Sequence, residues 1–168
     1  MALYTGSVHL GRALTAARNE QLFIVFVTAR PPRTVRARAR PMGITGLAIC
    51  CNGAIVYDLD QDHITGHTPL TPEVARQLVL ALREAIPGVC FAVELGVRYG
   101  WEPGFAALRP MVRTRRREWK MMPSCSAEPV TKLIVCHGAI HADELLRIAH
   151  ALIGSCLRYM SIVRECKQ

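Results

Sequence analysis

The sequence predicts an α/β fold in which two parallel strands are joined by a helix and followed by a second region of helices and paired strands. Three observations carry this. Leu22 to Val27 is a continuous apolar run ending at Thr28-Ala29-Arg30, and such a run reads as a strand buried on both faces. Pro31 and Pro32 follow, and proline is well placed in the first turn of a helix, where its missing N–H costs nothing; that helix would run to about Arg40 and stop before Pro41. A second apolar run, Leu47 to Cys51, ends in Asn52-Gly53-Ala54, with Ile55-Val56-Tyr57 continuing extended. Asn-Gly is a turn signal. A strand–helix–strand unit of this kind crosses over right-handedly and brings Thr28 and Asn52 to one edge of the sheet. The carboxyl ends of such strands are where open α/β sheets bind ligands.

The remaining elements follow in order. Residues 7–20 read as a helix that Ser7 can cap, with Leu10, Leu14 and Ala17 on one face and Arg12 and Arg18 facing outward. Asp58 to His67 is polar and reads as an exposed hairpin or linker. Thr71-Pro72-Glu73 is a strong helix start, combining a capping hydroxyl, an N1 proline and an acid against the dipole. Val74, Leu78, Ala81, Leu82 and Ala85 form its apolar stripe, and Pro87-Gly88 ends it. Val89–Leu95 and Val97–Trp101 read as paired strands turning at Gly96, while residues 102–129 read as a partly irregular connection. Val130–Cys136 is a strand whose alternation Lys132 weakens. Asp143–Ile153 is a helix with Leu145, Leu146, Ala149 and Leu152 inward, and Leu157–Val163 offers one more strand.

Composition bounds the function. A chain of 168 residues, 51% of them hydrophobic, can build one domain, or one domain plus part of another. No apolar run approaches the roughly 18 residues needed to span a bilayer, and the N-terminus lacks a signal-peptide layout. Arg12 and Arg18 without an acid in residues 1–19 faintly resemble a transit peptide, but the segment reads as an ordinary helix, so the expectation is a cytoplasmic protein. Seven cysteines without paired spacing, mostly inside apolar runs, fit a reduced protein. A zinc site from Cys136, His137 and His141 is disfavoured: no CxxC is present, and His141 is placed to open a helix.

The net charge of +8 comes from 21 basic residues, of which only Lys120, Lys132 and Lys167 are lysines. Two arginine-rich runs stand out, Arg30–Arg40 and Arg113–Lys120, the second with Trp119 inside it. A basic stripe with an aromatic can bind nucleic acid, yet no helix-turn-helix, zinc-finger or RNA-recognition pattern accompanies it. A solvated face is the better reading. A third option is that the arginines contact a phosphorylated substrate.

The stretches VTARPPRTV and MGITGLAICCNGAIVYD resemble the second conserved region of the haloacid dehalogenase-like (HAD) hydrolases, and most closely the Cof-type sugar-phosphatase branch, which reads T-G-R-P and, further on, N-G-A. PLTPEVARQLVLALREAIPGVCFAVELG resembles the start of that branch's α/β cap, and the likeness covers roughly residues 5–153. It implies a partial Rossmann-like core over residues 1–66 and a cap over 67–168. It further implies a phosphatase acting on sugar phosphates through an aspartate nucleophile and Mg²⁺. Residue by residue, Thr28 matches the hydroxyl that donates to phosphoryl oxygens, Ala29 replaces a glycine, and Arg30 matches the family's arginine. Asn52 and Gly53 match the loop bordering the phosphate. Two plainer roles stay open: Thr28 as a cap for the helix at Pro31, and Asn52 as a turn residue only.

The family's D-x-D-G-T motif would precede Leu22, but the first acid is Glu20, and Asp58-Leu59-Asp60 follows the N-G-A turn. The later lysine and the G-D-x-x-x-D metal motif would follow the cap, and Lys132 lies on a cap strand. No residue here is therefore assigned as a nucleophile or metal ligand. The chain reads as a truncated form, inactive by itself, with a marginal core whose exposed first strand invites a second copy or a complementing polypeptide. The alternative is a non-catalytic module that holds phosphorylated ligands or nucleic acid through the arginine-rich cap.

Overall fold

A computed structural model describes residues 6–40, 44–109, 119–120, 128–154 and 160–162. The chain divides into two compact units, Met1–His67 and Thr68–Gln168.

The first unit begins with α1 (Gly6–Asn19), followed by β1 (Val25–Val27), α2 (Pro32–Ala39), β2 (Leu47–Cys50), β3 (Ile55–Asp58) and β4 (His63–His67). The sheet order is β1-β2-β3-β4. β1 and β2 run parallel, with Val25 opposite Leu47 and Val27 opposite Ile49, and the other pairings are antiparallel. Asp58–His67 is thus a hairpin arm. Its turn is held by Asp58, whose Oδ1 accepts the N–H groups of Asp60 and Gln61, both at 2.8 Å. The core is small: Ala48, Cys50, Cys51, Ala54, Ile55 and Tyr57 are buried, with Phe26, Val35, Leu59 and Ile64 packed against them.

Two expectations for this unit need correction. The Leu22–Val27 run is not buried on both faces. Only Val25–Val27 is strand, and among the described residues it pairs with β2 alone. Phe26 points to the core, while Phe23 and Val27 are each 75% exposed, and Leu22 and Val25 are exposed too. A strand paired along one side and packed on one face buries only alternate residues. α1 begins at Gly6, so Ser7 is one of its helical residues, and Leu10 is exposed, with Leu14 and Ala17 half-buried.

The second unit contains α3 (Pro72–Ala85), β5 (Cys90–Leu95), β6 (Arg98–Trp101), α4 (Pro103–Leu108), β7 (Trp119–Lys120), β8 (Lys132–Cys136), α5 (Ala142–Ile153) and β9 (Met160–Ile162). Its sheet order is β7-β6-β5-β8-β9. Thr71 caps α3 by accepting the Val74 N–H at 3.4 Å, and an isolated antiparallel bridge ties Leu70 to Val130. One sheet face is apolar. Phe91, Val93, Leu133 and Val135 pack there with Leu78, Val79 and Leu82 of α3 and Leu145 and Ala149 of α5. At roughly 25 cal/mol per Å² of apolar surface removed from water, large side chains such as these dominate the unit's stability. The first unit's Ala and Cys core gives much less.

The helical stripes differ at their edges from those expected. In α3 the buried residues include Ala75 and Val79, whereas Ala85 is exposed. In α5, Ala142, Leu145 and Ala149 are buried, but Leu146 and Leu152 are exposed. A helix packed against a flat sheet buries a narrower stripe than its leucines suggest. Within 102–129, α4 is a real helix, opened by Pro103 at its first position.

Candidate functional site

The predicted phosphate-loop residues lie together at the carboxyl ends of β1 and β2. The parallel ladder continues one residue past β1, since the Thr28 N–H donates to the Ile49 carbonyl at 2.9 Å. Two further bonds then join the loops: Asn52 N–H donates to the Thr28 carbonyl at 3.4 Å and Cys51 N–H to the Arg30 carbonyl at 3.1 Å. The Thr28 hydroxyl accepts the Arg30 N–H at 3.2 Å, which folds residues 28–30 into a tight turn. Thr28 is half-buried; Ala29, Arg30, Asn52 and Gly53 are exposed.

The Asn52 loop is a short 3₁₀ turn in which Cys51, Asn52 and Gly53 take φ of +54°, +59° and +97°. Three left-handed residues in a row are costly for side chains other than Asn and Gly. A Cβ on Gly53 would meet nothing, so glycine is needed there for backbone conformation and not for space. α2 begins beside Arg30. Its N-cap, Pro31, makes no side-chain cap bond, and no acid occupies its first turn. The positive dipole end of such a helix favours an anion, although Pro31 and Pro32 carry no N–H and the Thr34 N–H donates to the Pro31 carbonyl at 2.9 Å. The arrangement therefore presents one hydroxyl, one guanidinium and one side-chain amide at a common sheet edge, while most of the loops' backbone N–H groups bond within the protein.

Charges elsewhere in the unit serve the fold. Asp62 accepts the Tyr57 hydroxyl and pairs with Arg36 at 2.6 Å. The Tyr57 hydrogen bond, followed by the attraction of Arg36, holds the Asp62 carboxyl below its ordinary range. Asp60 accepts the Gly46 N–H at 2.9 Å. Asp58, Asp60 and Asp62 are thus engaged in the β3–β4 turn and its neighbours. No group of three His, Cys, Asp or Glu suited to a metal occurs among the described residues. Such a set does not fit a Mg²⁺ centre.

His137 is committed likewise. Its Nδ1 accepts the N–H groups of Ala139 and Ile140, at 3.0 and 2.8 Å, and its Nε2 faces the Pro87 carbonyl at 3.0 Å. His141 caps α5 by accepting the Asp143 N–H.

Sequence reading noticed Lys132 as a break in alternation but missed that it, Glu94 and Glu102 are buried in the second unit. Glu94 and Lys132 stand directly opposite across β5 and β8, at 3% and 6% exposure, on the sheet face away from the leucine core. Lys132 breaks the alternation because it faces an acid, and a lone lysine and a lone glutamate in adjacent apolar strands were the signal. Glu102 is buried as well. It pairs with Arg83, and its Oε2 accepts the Phe91 N–H at 3.0 Å, with the Arg83 guanidinium 5.6 Å above the Phe91 ring. The Arg113–Lys120 run falls almost wholly outside the described residues; only the backbone of Trp119–Lys120 is described, pairing in parallel with Gly100–Trp101.

A mixed α/β chain with parallel strands and a polar loop pair at their carboxyl ends is a Rossmann-type arrangement. The sequence profile of the haloacid dehalogenase-like hydrolases matches residues 7–102, and the chain belongs to that family. No curated protein sequence matches it. Among solved structures, a Streptococcus mutans protein aligns at TM-score 0.69 and 16% identity over 89% of this chain and 55% of its own. A haloacid dehalogenase-like hydrolase from Bacteroides thetaiotaomicron gives TM-score 0.61 and 16% identity, covering 88% of this chain and 55% of its own. A sugar phosphatase of HAD subclass IIB gives 0.58 and 16%, with the same shares, 88% and 55%. The chain thus spans about half the length of these structures. The family is in general Mg²⁺-dependent.

Proposed function

We propose that this chain is the phosphate-loop and cap portion of a phosphatase that hydrolyses sugar phosphates in the cytoplasm. In this reading the unit Met1–His67 is a partial core and Thr68–Gln168 is the cap. The supporting observation is the bond from Asn52 N–H to the Thr28 carbonyl at 3.4 Å, which puts the two loops side by side at the ends of parallel strands. Thr28 would donate its hydroxyl proton to phosphoryl oxygens while its oxygen keeps the Arg30 N–H. Ala29 would stand where the family has glycine, Arg30 would supply a planar cationic fork, and Asn52 and Gly53 would border the phosphate. Free Cys50, Cys51, Cys90 and Cys136 suit a reducing compartment.

Hydrolysis by this family's chemistry needs a carboxylate to take the phosphoryl group. No aspartate precedes Asp58 in these 168 residues, and the described turn aspartates are otherwise bonded. The isolated chain is therefore expected to bind phosphate and not to turn over p-nitrophenyl phosphate with added Mg²⁺. Titration of the labelled full chain with inorganic phosphate, followed by amide chemical shifts, tests the binding. Shifts should concentrate at residues 28–30 and 52–53 and weaken in Thr28→Val. Shifts scattered over other surfaces remove the phosphate-loop reading, and turnover above background removes the expectation of inactivity.

A further inference from the structure

Cys90 and Cys136 occupy opposed positions at one end of the β5–β8 ladder. Opposed residues of antiparallel strands send their side chains to the same face. Both sulfurs lie in one small apolar group with Ala92, Trp101 and Phe105, beneath α4. Neither is engaged in a disulfide.

The kind of opposed pair follows from the neighbouring residue. Phe91 turns both backbone groups toward Glu102: its N–H donates to Glu102 Oε2, and its carbonyl accepts the Glu102 N–H, each at 3.0 Å. Those groups point away from β8, so Phe91 and Val135 form a non-hydrogen-bonded pair, and the pairs on either side, Cys90–Cys136 included, are hydrogen-bonded. Such pairs have Cα atoms about 5.5 Å apart, inside the roughly 4.4–6.8 Å that a disulfide bridges. Their Cβ atoms, however, lie near the wide end of about 4.5–5.5 Å, so closure must draw the two strands together and leaves a strained, readily reduced bond. Gly104 of α4 makes the room. A Cβ there would lie 2.7 Å from Cys90 Sγ, so any larger residue would displace the sulfur. Cys90 is the half-exposed member, and its thiol donates to the Gly88 carbonyl at 3.5 Å.

We propose that Cys90 and Cys136 are an oxidation site, closing a reversible disulfide that ties β5 to β8 when the protein meets a peroxide. The electron balance is simple. Peroxide takes the electron pair of the Cys90 thiolate to give a sulfenic acid and hydroxide. The Cys136 sulfur then displaces water from that sulfenic acid, its own proton leaving with the departing oxygen. Two thiols and one peroxide become one disulfide and two waters. Burial pushes Cys136 up to about 12 and raises Cys90 as well. The thiolates are therefore scarce at neutral pH, and closure should quicken as pH rises.

The test uses the full reduced chain, treated with hydrogen peroxide at mildly alkaline pH, alkylated, and mapped by mass spectrometry without reduction. The expected product is a Cys90–Cys136 linked peptide pair, lighter by two hydrogens and released by dithiothreitol. The closed loop is long, so the unfolding midpoint should rise by on the order of 10 °C. Cys90→Ser should fold as before and lose this response, and Gly104→Ala should slow closure by moving the sulfur. The proposal is overturned if both cysteines are recovered alkylated or singly oxidised, or if the midpoint of Cys90→Ser still rises with peroxide.

Discussion

Removing the Glu102 carboxylate should unfold the second unit at markedly lower temperature, and two variants separate the causes. In Glu102→Ala the buried Phe91 N–H loses its acceptor, a loss of about 1–3 kcal/mol. The ion pair with Arg83 adds at most about 1 kcal/mol, because Arg83 is a third exposed and rehydrates when released. Together these predict about 1–4 kcal/mol for Glu102→Ala. Glu102→Gln keeps an oxygen for the Phe91 N–H and loses only the charge, so about 1 kcal/mol is expected. For a unit of about 100 residues this corresponds to a drop of roughly 5–30 °C for the alanine variant and about 5 °C for the glutamine variant. Thermal unfolding of the full chain followed by circular dichroism reads both. Equal losses in the two variants would show that the charge, and not the hydrogen bond to Phe91, holds β5 to the start of α4.

Two more predictions follow from the first unit. Asp62 has a carboxyl held low, first by the Tyr57 hydrogen bond and then by Arg36. A depressed carboxylate stabilises the fold fully above the ordinary aspartate range and loses that effect as pH falls through its folded value. Asp62→Asn should therefore flatten the acid limb of a stability-versus-pH curve while the neutral region moves down; an unchanged acid limb would refute the assignment. Val27, three-quarters exposed on β1, should accept lysine with little change in unfolding temperature and less self-association by light scattering. A large drop in unfolding temperature would mean that Val27 is packed after all.

The sequence by itself determined the order and type of most elements. Proline at the first turns of α2 and α3, Asn-Gly after β2 and Gly96 between β5 and β6 are local signals whose meaning depends on a few neighbouring backbone angles. The same locality made the loops at Thr28 and Asn52 legible, since a parallel crossover admits one handedness. Tertiary structure alone decided what lies inside. Apolar content did not bury β1, because burial requires a second layer or a second neighbouring strand, and neither property is written in the strand itself. The stripes of α3 and α5 kept Leu78, Leu82, Leu145 and Ala149 but differ at their edges for a related reason: the sheet they pack on sets which side chains are covered. The burial of Glu94, Lys132 and Glu102 escaped notice, since a buried charge becomes stable only through a partner far away in the chain. The opposition of Cys90 and Cys136 is of the same kind, fixed by strand register across 46 positions and by no pattern near either residue.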